Sequence, residues 1–327
     1  MSEFFVGSKK RAAIITAVVF LLLACIPVAL IGTYRWVENT FTTQVFTQQQ
    51  TLSDIAALAI KVKLDKLVNI AGALAASDQL SGDAASGKWT SAAGVARDLE
   101  NNVNYYDPFI DRIIVYDASG VQQAAYPELT GGINTKASVN GWYGALASGT
   151  QSTYVSGATK RISSPQIQVV NVATSIVSNK KIVGFLILQI PTDNFLDFGG
   201  SLSLGTYGFA YVVDATGNLV AHPKYLSDSG GVISYSFVPQ VMEALAGKSG
   251  TDIVSDQTTG EKGIVTYGSV PEYGWGVITQ EPYVEAFSTE SAILFGIFLS
   301  IILFTVLDLL ICYALYCYII YHTHEKS

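Results

Sequence analysis

The 327-residue chain has three cysteines, Cys25, Cys312 and Cys317, and all lie in apolar stretches near its two ends. The long segment between them has none, so its fold must rest on an apolar core and not on disulfides. Histidine is equally scarce. His222, His322 and His324 are the three. No second His or Cys stands at ligand spacing from His222, so no metal site is expected and His222 is read as a buried, hydrogen-bonded residue. Charged residues make up 14 % of the chain against 50 % hydrophobic ones, a balance that excludes disorder. Nucleophile motifs, phosphate loops and recognisable carboxylate pairs are also missing. Neither an enzymatic activity nor a cofactor is expected.

Long apolar runs are present, one at each end. Ala12 to Ile31 carries no charge, and its length matches the roughly 20 residues a helix needs to cross a bilayer. Pro27 falls inside it, which helices in membranes tolerate. Lys9, Lys10 and Arg11 directly precede this run and predict a cytoplasmic N-terminus. The run is too long for a cleaved signal peptide. The LLAC box at Leu22 to Cys25 is followed by IPVALI, where a lipoprotein has a polar tether. The second run extends from Ser291 to Tyr321 with Asp308 as its only charge. An acid in such a place usually faces protein, so Asp308 is the candidate for contact with a partner's span.

Two spans place the intervening segment outside the cytoplasm. Setting aside Lys9, Lys10, Arg11 and Lys326, and Glu3, Asp308 and Glu325, leaves 15 basic and 23 acidic residues between Tyr34 and Glu290. That acidic balance argues against a nucleic-acid partner. The expected order is a cytoplasmic N-terminus (1–11), a first span (12–33), a long helix (34–80), a distal module (81–200), a proximal module (201–290), a second span (291–321) and a cytoplasmic tail (322–327).

The long helix follows from apolar residues at three- and four-residue steps, among them Val37, Phe41, Leu52, Ile55, Val62, Leu67, Ile70 and Leu74. A helix of that length needs a partner along it, and a homodimer is expected. SDQLSGDAASGKW reads as a loop, and a short helix is expected from Thr90 to Asn102. The period then changes to two. FIDRIIVYDASGVQQAAY predicts strand, turn, strand, with Asp117 in the turn. IQVVNVATSIV and KKIVGFLILQI predict two more strands, and PTDNFLDFGG a connector of one or two helical turns. Arg112, alternating with apolar neighbours, is read as facing solvent, and Lys160-Arg161 as a solvated loop pair.

GTYGFAYVVDATGNLVAHP, from Gly205 to Pro223, then echoes VYDASG with VVDATG. Tyr207, Phe209, Tyr211 and Val213 share one strand face, Asp214 turns the chain, and a helix (VPQVMEALAG) and the strands KGIVTYGSV and GWGVITQEP follow. Both copies predict antiparallel sheets with helices, an α+β fold.

Gly205 to Pro223, together with WGVITQEPYVEAF and NGWYGALASG, resembles the double Cache (dCache) sensor family of bacterial and archaeal chemoreceptors and sensor kinases. The likeness runs in order along nearly the whole chain. It implies a long helix carrying two tandem PAS-like antiparallel-sheet modules, with the small-molecule pocket in the membrane-distal one. In amino-acid-binding members an arginine two residues before the Trp-Tyr pair grips the ligand carboxylate, and an aspartate on the last distal strand takes the ammonium. Asn140 and Gln189 stand at those positions here. Trp142, Tyr143 and Tyr154 form the implied aromatic wall, and Tyr116 and Tyr126 complete the candidate ligand-binding set. Losing both charged clamps favours an uncharged or cationic ligand over a free amino acid.

The resulting expectation is a membrane-anchored extracytoplasmic small-molecule sensor. No kinase, cyclase or methyl-accepting segment follows the second run, so signalling is expected through a membrane partner contacting that span, or the chain is a truncated receptor. The alternative is a surface binding or scaffold protein, self-assembling and without a signalling role.

Overall fold

A computed structural model of the chain describes residues 2–89, 94–95, 109–127, 137, 141–162, 164–196, 207–226, 228, 230–255 and 261–324. The short helix expected over Thr90–Asn102 lies almost entirely outside them. Two compact units separate: Met1–Thr47 with Val284–Ser327, and Gln48–Tyr283.

The first helix, α1 (Ser2–Ala75), is continuous and contributes to both units. Within the second unit its buried side chains include Ala56, Ile60, Leu64, Leu67, Ile70, Ala71 and Leu74, a stripe of helical period. Each fully buried Leu or Ile there contributes roughly 1.5–3 kcal/mol. Ile55 and Val62, expected in the same stripe, are instead 49 % and 57 % exposed. Leu67, Ile70 and Leu74 are buried as expected, whereas in the preceding turns Ala56, Ile60 and Leu64 form the buried face in place of Ile55 and Val62. The segment expected as a loop after it forms α2 (Asp78–Ala85). Ser77 caps this helix by accepting from the Leu80 amide at 3.3 Å, and Leu80 and Ala84 are buried. The Ser and Gly content hid a proper N-cap followed by an i, i+4 apolar pair.

The first sheet contains β1 (Arg112–Asp117), β2 (Gln122–Tyr126), β3 (Thr153–Val155), β4 (Thr159–Lys160), β5 (Gln168–Ser178) and β6 (Lys181–Pro191), with α3 (Gly141–Ala147) between β2 and β3. Its order is β2-β1-β6-β5-β3, with β4 also on β5. A 3₁₀ segment, Thr192–Leu196, leaves β6 and fulfils the expected connector. The second sheet contains β7 (Phe209–Val213), β8 (Leu219–Ala221), β9 (Gly250–Ser255), β10 (Lys262–Val270) and β11 (Trp275–Pro282), with α4 (Pro239–Leu245) before β9. Its order is β8-β7-β11-β10-β9. All the pairings in both sheets are antiparallel.

The two orders are the same apart from the added β4, so the repeated phrase marks a repeated fold. The echo extends to details. Each opening hairpin shifts register just before its aspartate, between Val115 and Tyr116 and between Val212 and Val213. Gly120 and Gly217 both take φ +80°, a left-handed conformation in which only glycine is unstrained. Asp117 Oδ1 accepts from the Ser119 and Val121 amides, and Asp214 Oδ1 from those of Thr216 and Asn218. Both aspartates are therefore turn residues, as the sequence predicts.

One apolar core joins these parts. It contains the α1 stripe, Ile113, Val115, Leu186 and Leu188 from the first sheet, and Val212, Val277 and Trp275 from the second. Strand side chains alternate between faces, so each sheet turns one face to α1 and keeps the other as an outer face. The last helices are α5 (Tyr283–Ala286) and α6 (Ser288–His324). Among the described residues one segment, Ser291–Leu315 within α6, is long and apolar enough to cross a membrane, with mean hydropathy 2.7.

Candidate ligand-binding site

The outer face of the first sheet gathers most of the residues that the sequence singled out. Tyr116 on β1, Phe185 on β6 and Trp142 on α3 form an aromatic cluster, with ring centroids 5.2 Å apart for Tyr116–Trp142 and 5.6 Å for Trp142–Phe185. Tyr143 meets Phe185 at 5.4 Å, edge to face. Its ring lies against Gly120, where any Cβ would collide with it, and its hydroxyl donates to the Ala118 carbonyl at 3.3 Å. The VYDASG turn thus seats one member of the cluster. Tyr154 on β3 packs against the same group, and its hydroxyl lies beside Gly141 at the start of α3. Such tilted and edge-on pairs add roughly 0.5–1.5 kcal/mol each beyond burial.

A polar row continues this face. Arg112, Gln189 and Asn171 pair across β1, β6 and β5. Ile114 and Tyr116 lie on the outer face, so the two-residue period puts Arg112 there as well. The Gln189 amide donates to Asn171 Oδ1 at 3.0 Å, while its own Oε1 is buried without a hydrogen-bond partner among the described residues. An unmet buried carbonyl costs about 1–3 kcal/mol. It is the kind of group that a bound donor or an ordered water would satisfy.

Arg112 does not face solvent as expected; it is 6 % exposed and donates to the Ser164 carbonyl at 3.3 Å. Arg161, expected in a solvated loop pair, is 3 % exposed, paired with Asp111, and donates to the Pro165 carbonyl at 3.0 Å. Lys160 is exposed, in β4. Partners distant in sequence cover both guanidinium groups, which strand alternation alone cannot reveal. Burial, and the neighbouring Arg161, lower the Arg112 pKa, with Asp111 opposing.

Tyr126 does not join the cluster. It packs with the α1-side core, on the opposite face. Asn140 lies outside the described residues. Phe185 was missed by the sequence reading, although its place four residues before Gln189 on one strand face was a usable signal. Asp308 lies in the apolar segment of α6, and its Oδ2 has no hydrogen-bond partner among the described residues. Among the described residues no group of three or more His, Cys, Asp or Glu could hold a metal ion.

With this geometry in view, comparison with known proteins gives a clear placement. The dCache family profile, described as a Cache domain, matches residues 35–289. The chain belongs to the dCache family. Solved structures of similar fold include the ligand-binding domain of the Pseudomonas fluorescens chemoreceptor CtaA in complex with L-isoleucine, at TM-score 0.57 and 15 % identity, covering 77 % of this chain and 98 % of that one. The ligand-binding domain of the Pseudomonas aeruginosa amino acid chemoreceptor PctB in complex with L-Gln aligns at TM-score 0.54 and 17 % identity, covering 74 % and 92 %. Identities this low establish a shared dCache fold. A comparison with curated protein sequences gives no match. The dCache placement confirms the resemblance read from the three phrases.

Proposed function

We propose that this dCache protein is a membrane-anchored extracytoplasmic sensor that binds a small polar molecule on the outer face of its first sheet. The observation that carries the reading is the Gln189 carbonyl oxygen, buried and without a partner among the described residues, beside Arg112 and next to the cluster of Tyr116, Trp142, Tyr143, Tyr154 and Phe185. A donor on the ligand would meet Gln189, aromatic rings would enclose its apolar part, and Arg112 would favour neutral or carboxylate-bearing molecules over cations. The two Pseudomonas receptors, of the same fold, were solved with amino acids bound, which makes small zwitterions worth testing beside neutral amides. Arg112 supplies positive charge in the polar row itself, so the uncharged half of the sequence expectation is kept and the cationic half is disfavoured.

In this reading the run Ala12 to Ile31 and the segment Ser291–Leu315 are two spans, with Lys9, Lys10 and Arg11 on the cytoplasmic side. The exposed α1 residues Ile55, Leu58 and Val62 are the seam of a homodimer. Ligand binding passes to a partner through α6, where Asp308 is the contact that a second span would satisfy. Coupling requires only that the ligand favour one of two arrangements of the dimer.

The test is a thermal-shift screen of the full chain in lipid nanodiscs against amino acids, neutral amides and quaternary amines. Ligand at one hundred times its Kd stabilises the folded state by about 2.7 kcal/mol. A neutral or zwitterionic hit lost in Gln189→Leu supports the reading. A quaternary amine as the sole hit, or a hit indifferent to Gln189→Leu, contradicts it.

A further inference from the structure

The outer face of the second sheet carries a cavity of about 820 Å³, within the range of small-molecule sites. It occupies, in the repeated fold, the place that the aromatic cluster and polar row hold in the first module. Its wall is unusually rich in rings. His222 lies 5.4 Å from Tyr211, 5.3 Å from Phe209 and 4.8 Å from Tyr225, and Tyr235 lies 5.5 Å from Tyr211, centroid to centroid. Tyr211 and His222 are 5 % and 4 % exposed at its base, whereas Tyr207 and Phe237 at its mouth are 76 % and 74 % exposed. Folding alone gains little from two large rings left in water at the rim of a hollow. A planar ligand would bury them.

The polar groups narrow the class. His222 Nδ1 accepts from the Lys224 amide at 3.0 Å, which leaves the ring's proton on Nε2 as a donor. Burial, with Lys224 nearby, lowers its pKa to about 4, so the cavity base is neutral at physiological pH. Among the described lining residues the cations are Lys224 and Lys262, and Glu261, the one carboxylate among them, already has an interaction partner. Lys224 Nζ stands 5.4 Å from the Phe209 ring centroid, on an aromatic surface that would otherwise attract a ligand cation. A cationic guest would be repelled by the two ammonium groups, and an anionic one would be held by them.

We propose that the second module holds a separate binding site for a planar aromatic carboxylate, with its ring among Phe209, Tyr211 and Tyr235 and its carboxylate met by Lys224 and Lys262. This site is independent of the one proposed on the first sheet, and either can fail without the other. The experiment is isothermal calorimetry on the full chain in nanodiscs with benzoate and phenylacetate, using benzylamine and acetate as probes of charge and of ring. Both arylcarboxylates should bind saturably, and benzylamine and acetate at least tenfold more weakly. Lys224→Met should weaken binding about tenfold and Phe237→Ala severalfold. Both side chains are exposed, so these variants should keep the fold, while Gln189→Leu in the first module should leave the affinity unchanged. Absence of saturable arylcarboxylate binding, equal binding of benzylamine, or indifference to both Lys224→Met and Phe237→Ala would overturn the proposal.

Discussion

Replacing Asp214 by asparagine should cost far more than the same change at Asp117, although the two hold equivalent turns in the repeat. Asp117 Oδ2 accepts from the Gln123 side-chain amide at 2.6 Å. Gln123 can rotate its amide and offer an oxygen to the new nitrogen of Asp117→Asn, so about 1 kcal/mol or less should be lost. Asp214 Oδ2 instead accepts from the Ala158 backbone amide at 3.0 Å, reaching from the second module into the loop between β3 and β4 of the first. Asp214 is 1 % exposed, and its Oδ1 is already held by the Thr216 amide, the Thr216 hydroxyl and the Asn218 amide. An asparagine nitrogen would face a backbone N–H that cannot turn away, and flipping the amide would break three bonds instead of one. Losing a charge-assisted bond and stranding a buried donor should cost about 2–3 kcal/mol. Urea unfolding of the full chain in nanodiscs, followed by tryptophan fluorescence, measures both variants at an unchanged slope. Asp117→Asn as damaging as Asp214→Asn, or both harmless, would refute the claim that this carboxylate joins the modules.

Three further outcomes follow from the same structure. A methyl group at Gly157 would overlap the Asp214 carboxylate, so Gly157→Ala should destabilise the chain about as much as Asp214→Asn, and the double variant should cost clearly less than the sum. His222 has its pKa lowered from 6.5 to about 4 by burial. The unfolded chain therefore binds the extra proton between these values, and stability is full above pH 6.5 and falls on acidification towards pH 4. The loss is on the order of 3 kcal/mol at most, and His222→Phe should flatten that part of the urea-midpoint profile against pH. Leu58→Lys, on the exposed α1 stripe where Leu58 is 58 % exposed, should shift the mass measured by light scattering from dimer to monomer while changing the protomer's own unfolding free energy by no more than about 0.5 kcal/mol. A dimer unaffected by Leu58→Lys would remove α1 as the seam.

The long helix, the two hairpins and the paired strands β5–β6 and β10–β11 were legible because each carries many residues of one period. Short elements were not. TYV in β3 is too brief to show alternation, and β9, GTDIVS, is absent from the predicted strands because its glycine and polar residues hide a strand that pairs with β10 for its full length. Site residues divided similarly. Tyr116, Trp142, Tyr143 and Tyr154 come together on the outer face of the first sheet. Tyr126 does not, because the register shift in the β1–β2 hairpin separates its side from that of Tyr116. Arg112 was misread because its burial is made by Ser164, Asp111 and Arg161, one of them more than 50 residues away. The aromatic face of Tyr207, Phe209 and Tyr211 was visible in the alternation of β7. Its closure into a cavity was not, since His222, Tyr225 and Tyr235 arrive by a loop without period.

The central claim is that Gln189 and its neighbours on the first sheet bind the sensed molecule. Calorimetric titration of the full chain in nanodiscs with the strongest neutral or zwitterionic thermal-shift hit tests it most directly. The account predicts one saturable site whose affinity falls at least tenfold in Gln189→Leu, a loss of about 1.4 kcal/mol, and is unchanged in Lys224→Met. An affinity equal in wild type and Gln189→Leu, or one that falls with Lys224→Met alone, would contradict it.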